Sequence, residues 1–162
     1  MLRSAGKRLA IITLLCDILK GVVSVLLAML LGYFWREQAD PILMRYMAGF
    51  FAIVGHTFPI FFGFKGGKGV ATAIGAMLLL NWQIALTCLV FGIIMIAVTK
   101  MVSVGSIVSS ILYPLLTIFM VDDISFSSVL VSIFIGLFVI FNHRENINRL
   151  KNGTENKLGQ KV

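Results

Sequence analysis

Residues 55–72 read GHTFPIFFGFKGGKGVAT, and this stretch interrupts a chain that otherwise consists of long apolar runs. Its centre, Lys65 to Gly69, places two lysines and three glycines in five consecutive positions. Glycines permit positive φ and let backbone N–H groups converge on an anion, while lysines add positive charge. A helix beginning at Val70 would direct the positive end of its dipole at the same place. The stretch is therefore suited to bind phosphate; the alternative is a flexible basic loop that only determines topology.

The composition places the chain among integral membrane proteins. Of its 162 residues, 59% are hydrophobic and 13% are charged, and the mean hydropathy is +0.98. Soluble domains average about 45–50% apolar and about 25% charged residues. A helix needs about 20 mostly apolar residues to span a bilayer, so five or six spans use up the chain. We expect an all-α, polytopic membrane helical bundle that forms a single domain over residues 1–162.

Six apolar segments define this bundle, near residues 9–34, 42–62, 70–80, 82–99, 102–121 and 126–141, followed by a basic tail at 142–162. Segment 70–80 extends only about 16 Å as a helix, so the sequence leaves open whether it crosses the bilayer fully. If all six segments alternate from a cytoplasmic amino terminus, eleven lysines and arginines lie on the cytoplasmic side and two, Arg36 and Arg45, on the other. Cytoplasmic loops collect such residues, which predicts cytoplasmic motif loops and a cytoplasmic carboxyl terminus.

Polar residues also follow the last apolar segment. Asn142, His143, Arg144 and Glu145 stand where the chain leaves the membrane. Arg144 offers a planar fork for phosphate, and His143 can donate a hydrogen bond or move a proton near neutral pH. The alternative is an amphipathic exit helix that lies on the membrane surface.

Ionisable residues also lie inside the apolar segments. His56 is near the cytoplasmic end of its segment, where an ionisable group suggests either a functional role or a structural hydrogen bond. Asp17 and Lys20 are one helical turn apart, and we interpret them as a structural pair that neutralises itself; the alternative is that they line the site. Ser103 or Ser106 could cap the helix that follows Thr99. No metal site or cofactor is expected, since no His/Cys/carboxylate cluster is visible.

Together these motifs resemble the PlsY family, the bacterial acyl-phosphate:glycerol-3-phosphate acyltransferases. The similarity runs in order through LCDILKG, the glycine–lysine stretch, TKMVSVGSI and FNHRENINRLKNGTE, over essentially the whole chain. The resemblance implies a multi-pass enzyme of the bacterial inner membrane that transfers a fatty acyl group from acyl phosphate to the 1-hydroxyl of glycerol 3-phosphate. The implied products are lysophosphatidic acid and phosphate, in phospholipid synthesis. The implied partners are membrane lipid and the soluble acyltransferase that makes acyl phosphate, with no role for nucleic acid.

The resemblance also implies which residues form the site. Acyl phosphate already carries a good leaving group, so the enzyme has to position two anionic substrates and stabilise the developing oxyanion. We expect His143 to contact the acceptor hydroxyl or a phosphate and Glu145 to orient a base. The expected catalytic residues are His143, Lys68, Arg144 and Glu145. The expected substrate- or phosphate-binding residues are Arg3, His56, Lys65, Gly66, Gly67, Gly69, Thr72 and Asn142.

The chain departs from the family pattern at its amino terminus. The family usually has a further span and a first motif, S-G-N-x-G-A-T-N, followed shortly by arginine. This chain starts MLRSAGKR, and Arg3 matches the trailing arginine. Three explanations stay open: a start placed at an internal methionine, a truncated gene, or a part supplied elsewhere. The alternatives to an active acyltransferase are a catalytically inactive family member or membrane interaction subunit, and a small anion transporter, which would favour an internal repeat that is not seen.

Overall fold

The computed structural model describes residues 6–160, and over this range the chain is helical without any β-strand. The helices are α1 (Gly6–Phe34), α2 (Pro41–Thr57), α3 (Val70–Leu80), α4 (Trp82–Thr99), α5 (Val102–Met120), α6 (Phe126–Asn142) and α7 (Arg144–Lys151), with a short 3-10 turn at Ile60–Phe62. The predicted all-α class is confirmed.

Three of these helices, α1, α4 and α5, are long and apolar enough to cross a bilayer on their own. A fourth span results if α6 and α7, which meet at a bend of 57°, are counted as one crossing. The apolar helices α2 and α3 are shorter, with 17 and 11 residues. All six predicted apolar segments contain a helix, and the six crossings themselves stay a prediction.

The second apolar segment differs from the prediction of one element up to residue 62. Helix α2 ends at Thr57, and the chain then passes through the 3-10 turn before it reaches the glycine–lysine loop, residues 64–69. Pro59 explains the break, because a proline lacks the N–H of a helical hydrogen bond and keeps the residue before it out of the α region. Phe58, that preceding residue, has φ −121° and ψ 63°. The basic tail also differs, since its first part forms α7.

The chain divides into two compact units, Met1–Asn81 and Trp82–Val162, which are described separately. In the first unit α1 packs against both α2 and α3. Two glycines allow the close approach of α1 and α3: a Cβ at Gly21 would collide with the Thr72 carbonyl, and a Cβ at Gly75 with the Ile18 carbonyl. Small residues let membrane helices approach in this way, and this packing determines where α3 begins relative to α1.

In the second unit α5 packs between α4 and α6. Gly105 lies so close to α4 that a Cβ there would stand 2.5 Å from the Gly92 carbonyl oxygen. Ser109 adds an interhelical hydrogen bond by donating to the Cys88 carbonyl at 2.8 Å. Beyond α7 the chain returns to the corner between α4 and α5, where the Leu158 N–H donates to the Lys100 carbonyl at 2.7 Å.

Candidate functional site

A cavity of about 760 Å³ in the first unit contains most of the predicted phosphate-binding residues. Its walls come from the first half of α1, the end of α2, the glycine–lysine loop and the start of α3. The predicted residues that line it are His56, Lys65, Gly66, Gly67, Lys68 and Gly69. The structure thus brings two lysines and a histidine to one cavity.

The start of α3 also faces this cavity, through Val70 and Ala71. The first N–H groups of a helix have no acceptor within it, and they carry the positive end of the helix dipole. Gly69 precedes α3 with φ +85°, and a Cβ there would meet Ile53 Cγ2 at 2.5 Å, so this position requires glycine. The prediction that a helix begins at Val70 and directs its amino end at the loop is confirmed.

The amides of Gly66 and Gly67 hydrogen-bond to the last turn of α2. The Gly66 N–H donates to the Thr57 carbonyl at 3.0 Å, and the Gly67 N–H donates to the His56 carbonyl at 3.3 Å. These bonds satisfy carbonyls that the end of α2 leaves without helical partners. Phosphate binding by Gly66 and Gly67 stays a prediction. The first N–H groups of α3 are a second possible source of backbone donors for an anion.

Both glycines are nevertheless required by the packing of the loop on α2. A Cβ at Gly66 would collide with the His56 carbonyl, and a Cβ at Gly67 would collide with Nε2 of the His56 ring. Because there is no side chain at either position, the loop lies directly against the last turn of α2. The glycines thus bring the loop lysines next to His56.

Asp17 and Lys20 of α1 join the same cavity. The Lys20 ammonium is 2.6 Å from Asp17 Oδ1, which confirms the predicted pair. Lys20 Nζ is also 2.6 Å from His56 Nδ1, and Asp17 Oδ1 is 3.4 Å from the same nitrogen. The pair is therefore part of a cluster with His56 and lines the site. The sequence signal was the LCDILKG stretch, whose spacing indicates a pair but not its contact with α2.

One predicted binding residue, Thr72, lies elsewhere. Thr72 is fully buried in α3, and its hydroxyl has no hydrogen-bond partner within residues 6–160. It does not line the cavity, because its backbone packs against Gly21 of α1. Arg3 lies outside the described residues.

The other predicted residues lie in the second unit, around the bend between α6 and α7. Asn142 ends α6, and His143 at the bend is 3% exposed. Its Nδ1 donates to the Val139 carbonyl at 2.8 Å, which orients the ring. Arg144 is exposed, and its guanidinium stands 4.8 Å from the centre of the Phe141 ring.

Glu145 is exposed in the first turn of α7 and makes no hydrogen bond to His143 in the described part of the chain. Its predicted role in orienting a base therefore has no contact to support it here, because the carbonyl of Val139 orients the His143 ring. The roles of Asn142, His143 and Arg144 in contacting substrate stay predictions.

The sequence reasoning missed Glu155, a buried carboxylate beyond α7. Its Oε1 accepts hydrogen bonds from Ser103 Oγ and Asn146 Nδ2, both at 2.7 Å, and its Oε2 accepts from Arg149 Nε at 2.8 Å. Burial acts to raise the pKa of Glu155, but the hydrogen bonds from Asn146, Ser103 and Arg149 outweigh it and lower the pKa below its ordinary value. Ser103 thus binds this carboxylate and does not cap α5, which follows Met101 without a side-chain cap.

Comparison with known proteins identifies the family. A model described as glycerol-3-phosphate acyltransferase matches residues 1–153. A glycerol-3-phosphate acyltransferase of Clostridioides difficile is 45% identical over 165 residues, covering 99% of this chain and 76% of that protein. One from Neisseria meningitidis is 40% identical, with 99% and 78% covered.

Solved structures agree with this result. A crystal structure of PlsY, an integral membrane glycerol 3-phosphate acyltransferase, in its glycerol 3-phosphate form matches with a TM-score of 0.83 and 31% identity, covering 98% of this chain and 75% of that chain. The lysophosphatidic acid form of PlsY matches with a TM-score of 0.81. With matches of this extent in sequence and in fold, the chain belongs to the glycerol-3-phosphate acyltransferase family of integral membrane proteins.

Proposed function

We propose that this chain transfers a fatty acyl group from acyl phosphate to the 1-hydroxyl of glycerol 3-phosphate and releases lysophosphatidic acid and phosphate. The observation that carries the proposal is the cavity of the first unit, in which Lys65, Lys68 and His56 stand with the start of α3. Both substrates carry phosphate, and lysines together with a helix amino terminus attract phosphate. The names of the two PlsY structures, which include an acceptor and a product with this group, support the assignment.

The reaction needs little covalent chemistry from the protein. The acceptor hydroxyl oxygen attacks the carbonyl carbon of acyl phosphate, the new ester C–O bond forms, and the C–O bond to the phosphate breaks. The hydroxyl proton passes to an oxygen of the departing phosphate, so the atoms balance without a base from the chain. What the protein supplies is positioning and electrostatic stabilisation of the oxyanion.

The proposal assigns these tasks to named residues. Lys65 and Lys68 bind substrate phosphate in the cavity, and they also offset the charge that develops on the carbonyl oxygen. His143 and Arg144, at the bend between α6 and α7, contact the acceptor.

The proposal also places the enzyme in the cell. The distribution of lysines and arginines along the chain supports a bacterial inner membrane protein with the glycine–lysine loop and the carboxyl terminus in the cytoplasm. A cytoplasmic site would receive acyl phosphate from the soluble acyltransferase that makes it. Glycerol 3-phosphate, which is water-soluble, would reach the site directly from the cytoplasm.

Turnover by the purified chain in lipid vesicles tests the proposal. With acyl phosphate and glycerol 3-phosphate, we expect lysophosphatidic acid and phosphate in equal amounts, and no product when acyl-CoA is the donor. Lys68→Ala removes a charge-assisted hydrogen bond, which costs about 1.5–3 kcal/mol, or roughly 10- to 150-fold in rate. Lys151→Ala, an exposed lysine on α7 that does not line the cavity, is the matched control and should retain the wild-type rate.

Two results would contradict the proposal. Glycerol 3-phosphate binding without turnover would favour the inactive family member. Flux of phosphate across sealed vesicles without lysophosphatidic acid would favour the anion transporter.

A further inference from the structure

The cluster of Asp17, Lys20 and His56 is the part of the cavity whose chemistry the transfer reaction leaves unassigned. All three side chains line the cavity beside the glycine–lysine loop. The side chain of His56 is 12% exposed and that of Asp17 is 22% exposed, while Lys20 is more open at 41%. Ionisable groups in a membrane segment are costly and suggest a functional role.

We propose that Asp17 and Lys20 are positioning residues that hold His56 as a hydrogen-bond donor to substrate phosphate through Nε2. The inference rests on the proposed function, because it assigns a residue of the same phosphate site. It also makes a distinction that matters for mechanism, since a histidine held in this way is not the general base.

The two contacts of Nδ1 decide the protonation of the ring. A lysine ammonium has donors and no acceptor, so Lys20 Nζ at 2.6 Å must donate to His56 Nδ1. The alternative, an N–H on Nδ1 that donates to Asp17, has to bridge 3.4 Å, longer than a good N–H···O hydrogen bond. A neutral ring whose Nδ1 accepts carries its proton on Nε2. Asp17, 2.6 Å from Lys20, keeps the ammonium in place.

The position of Nε2 fits a phosphate donor. This atom faces the loop, because a Cβ at Gly67 would collide with it. The contacts of the ring with Lys20 and Asp17 both use the other nitrogen, Nδ1. Lys65 and Lys68 line the same cavity, so a phosphate there meets the lysine charges and the Nε2–H together.

The inference is tested by substitutions that distinguish His56 as a hydrogen-bond donor from His56 as a base. The readouts are kcat and the KM for glycerol 3-phosphate. Lys20→Met removes the donor to Nδ1, so the ring proton can move from Nε2 to Nδ1 and the hydrogen bond from Nε2 to phosphate is lost. We expect KM to rise about tenfold, which corresponds to one hydrogen bond to a charged group. The kcat should stay within threefold of wild type. Asp17→Asn should have a smaller effect in the same direction. The matched controls, Lys7→Met on the same helix and Asp122→Asn, are exposed residues outside the cavity and should leave both constants unchanged.

Two further variants make the test specific. Lys20→Arg keeps a donor for Nδ1 and should retain a KM close to that of wild type. In His56→Gln the amide N–H₂ replaces the Nε2–H donor and cannot serve as a base. We expect His56→Gln to stay within about fivefold of wild type and to be insensitive to Lys20→Met, whereas His56→Ala shows the full loss.

The outcomes separate this inference from the proposed function. If His56→Gln is as inactive as His56→Ala, or if Lys20→Met behaves like Lys7→Met, the positioning role is refuted while acyl transfer stands. If no variant and no wild-type protein turns over, calorimetric binding of glycerol 3-phosphate still decides. Binding that Lys20→Met weakens about tenfold keeps the positioning role and refutes acyl transfer, and equal or absent binding refutes the positioning role.

Discussion

Replacing Glu155 by alanine should destabilise the second unit more than any exposed carboxylate does. The side chain is 7% exposed and accepts hydrogen bonds from Ser103, Asn146 and Arg149. These donors belong to α5 and α7, so one carboxylate connects the segment after α7 to two helices. Its removal leaves the buried hydroxyl of Ser103 and the buried amide of Asn146 without an acceptor.

The contacts set the expected size of the effect. A hydrogen bond to a charged group contributes about 1.5–3 kcal/mol, and two of the three bonds are buried. The side chain of Arg149 is 37% exposed, so solvent screens that ion pair and its share is at most about 1 kcal/mol. We therefore expect a loss of at least about 3 kcal/mol, which lowers the unfolding midpoint by at least roughly 6–12 °C for a chain of this size.

A thiol-reactive fluorescent dye can follow this unfolding in detergent. Cys88 is buried in α4 of the same unit, whereas Cys16 is exposed, so a Cys16→Ser background makes the signal report the unfolding of the second unit. Glu145→Ala is the matched control, because Glu145 is exposed on α7 and surface substitutions usually change stability by less than about 0.5 kcal/mol.

The reasoning would be refuted if Glu155→Ala and Glu145→Ala unfolded at the same temperature. A midpoint for Glu155→Ala within about 2 °C of the unsubstituted protein would refute it as well, since about 0.5 kcal/mol is then the whole contribution. Arg149→Ala should fall between the two variants, because it removes only the screened partner.

The remaining predictions concern pH, helix packing and backbone strain, all with the same thermal readout. The pKa of Glu155 in the folded protein lies below its ordinary value of 4.5. The ionised carboxylate therefore stabilises the fold fully above pH 4.5, and this stabilisation is lost as the pH falls through the folded pKa. The difference in unfolding midpoint between wild type and Glu155→Gln should thus shrink in acid and stay constant near neutrality. Gly75→Ala places a methyl group on the Ile18 carbonyl and should cost about 1–3 kcal/mol, whereas Gly55→Ala, with nothing within 4 Å, should be neutral or stabilising. Lys100 has φ +61°, so Lys100→Gly should stabilise by up to about 1 kcal/mol and Lys100→Val should destabilise.

Sequence reasoning identified those parts of the site that are determined by a few consecutive residues. The start of α3 at Val70 and the basic glycine loop each follow from a short stretch of chain, and both are present. It placed the end of α2 too late, because an apolar run continues through Phe62 while the backbone leaves the helix at Thr57. Hydrophobicity alone does not indicate where the helix ends, since Phe58 to Phe62 are as apolar as the helix before them.

The sequence by itself determined the membrane class, the helical segments and the basic glycine loop, because these properties are set by composition and by spacings of a few residues. The tertiary structure alone decided which polar groups meet. Lys20 contacts His56 across 36 positions, and Ser103 contacts Glu155 across 52. It also decided that the Gly66 and Gly67 amides bond to α2. A buried polar group must find a partner, but the identity of that partner depends on how the helices pack, which no local pattern contains.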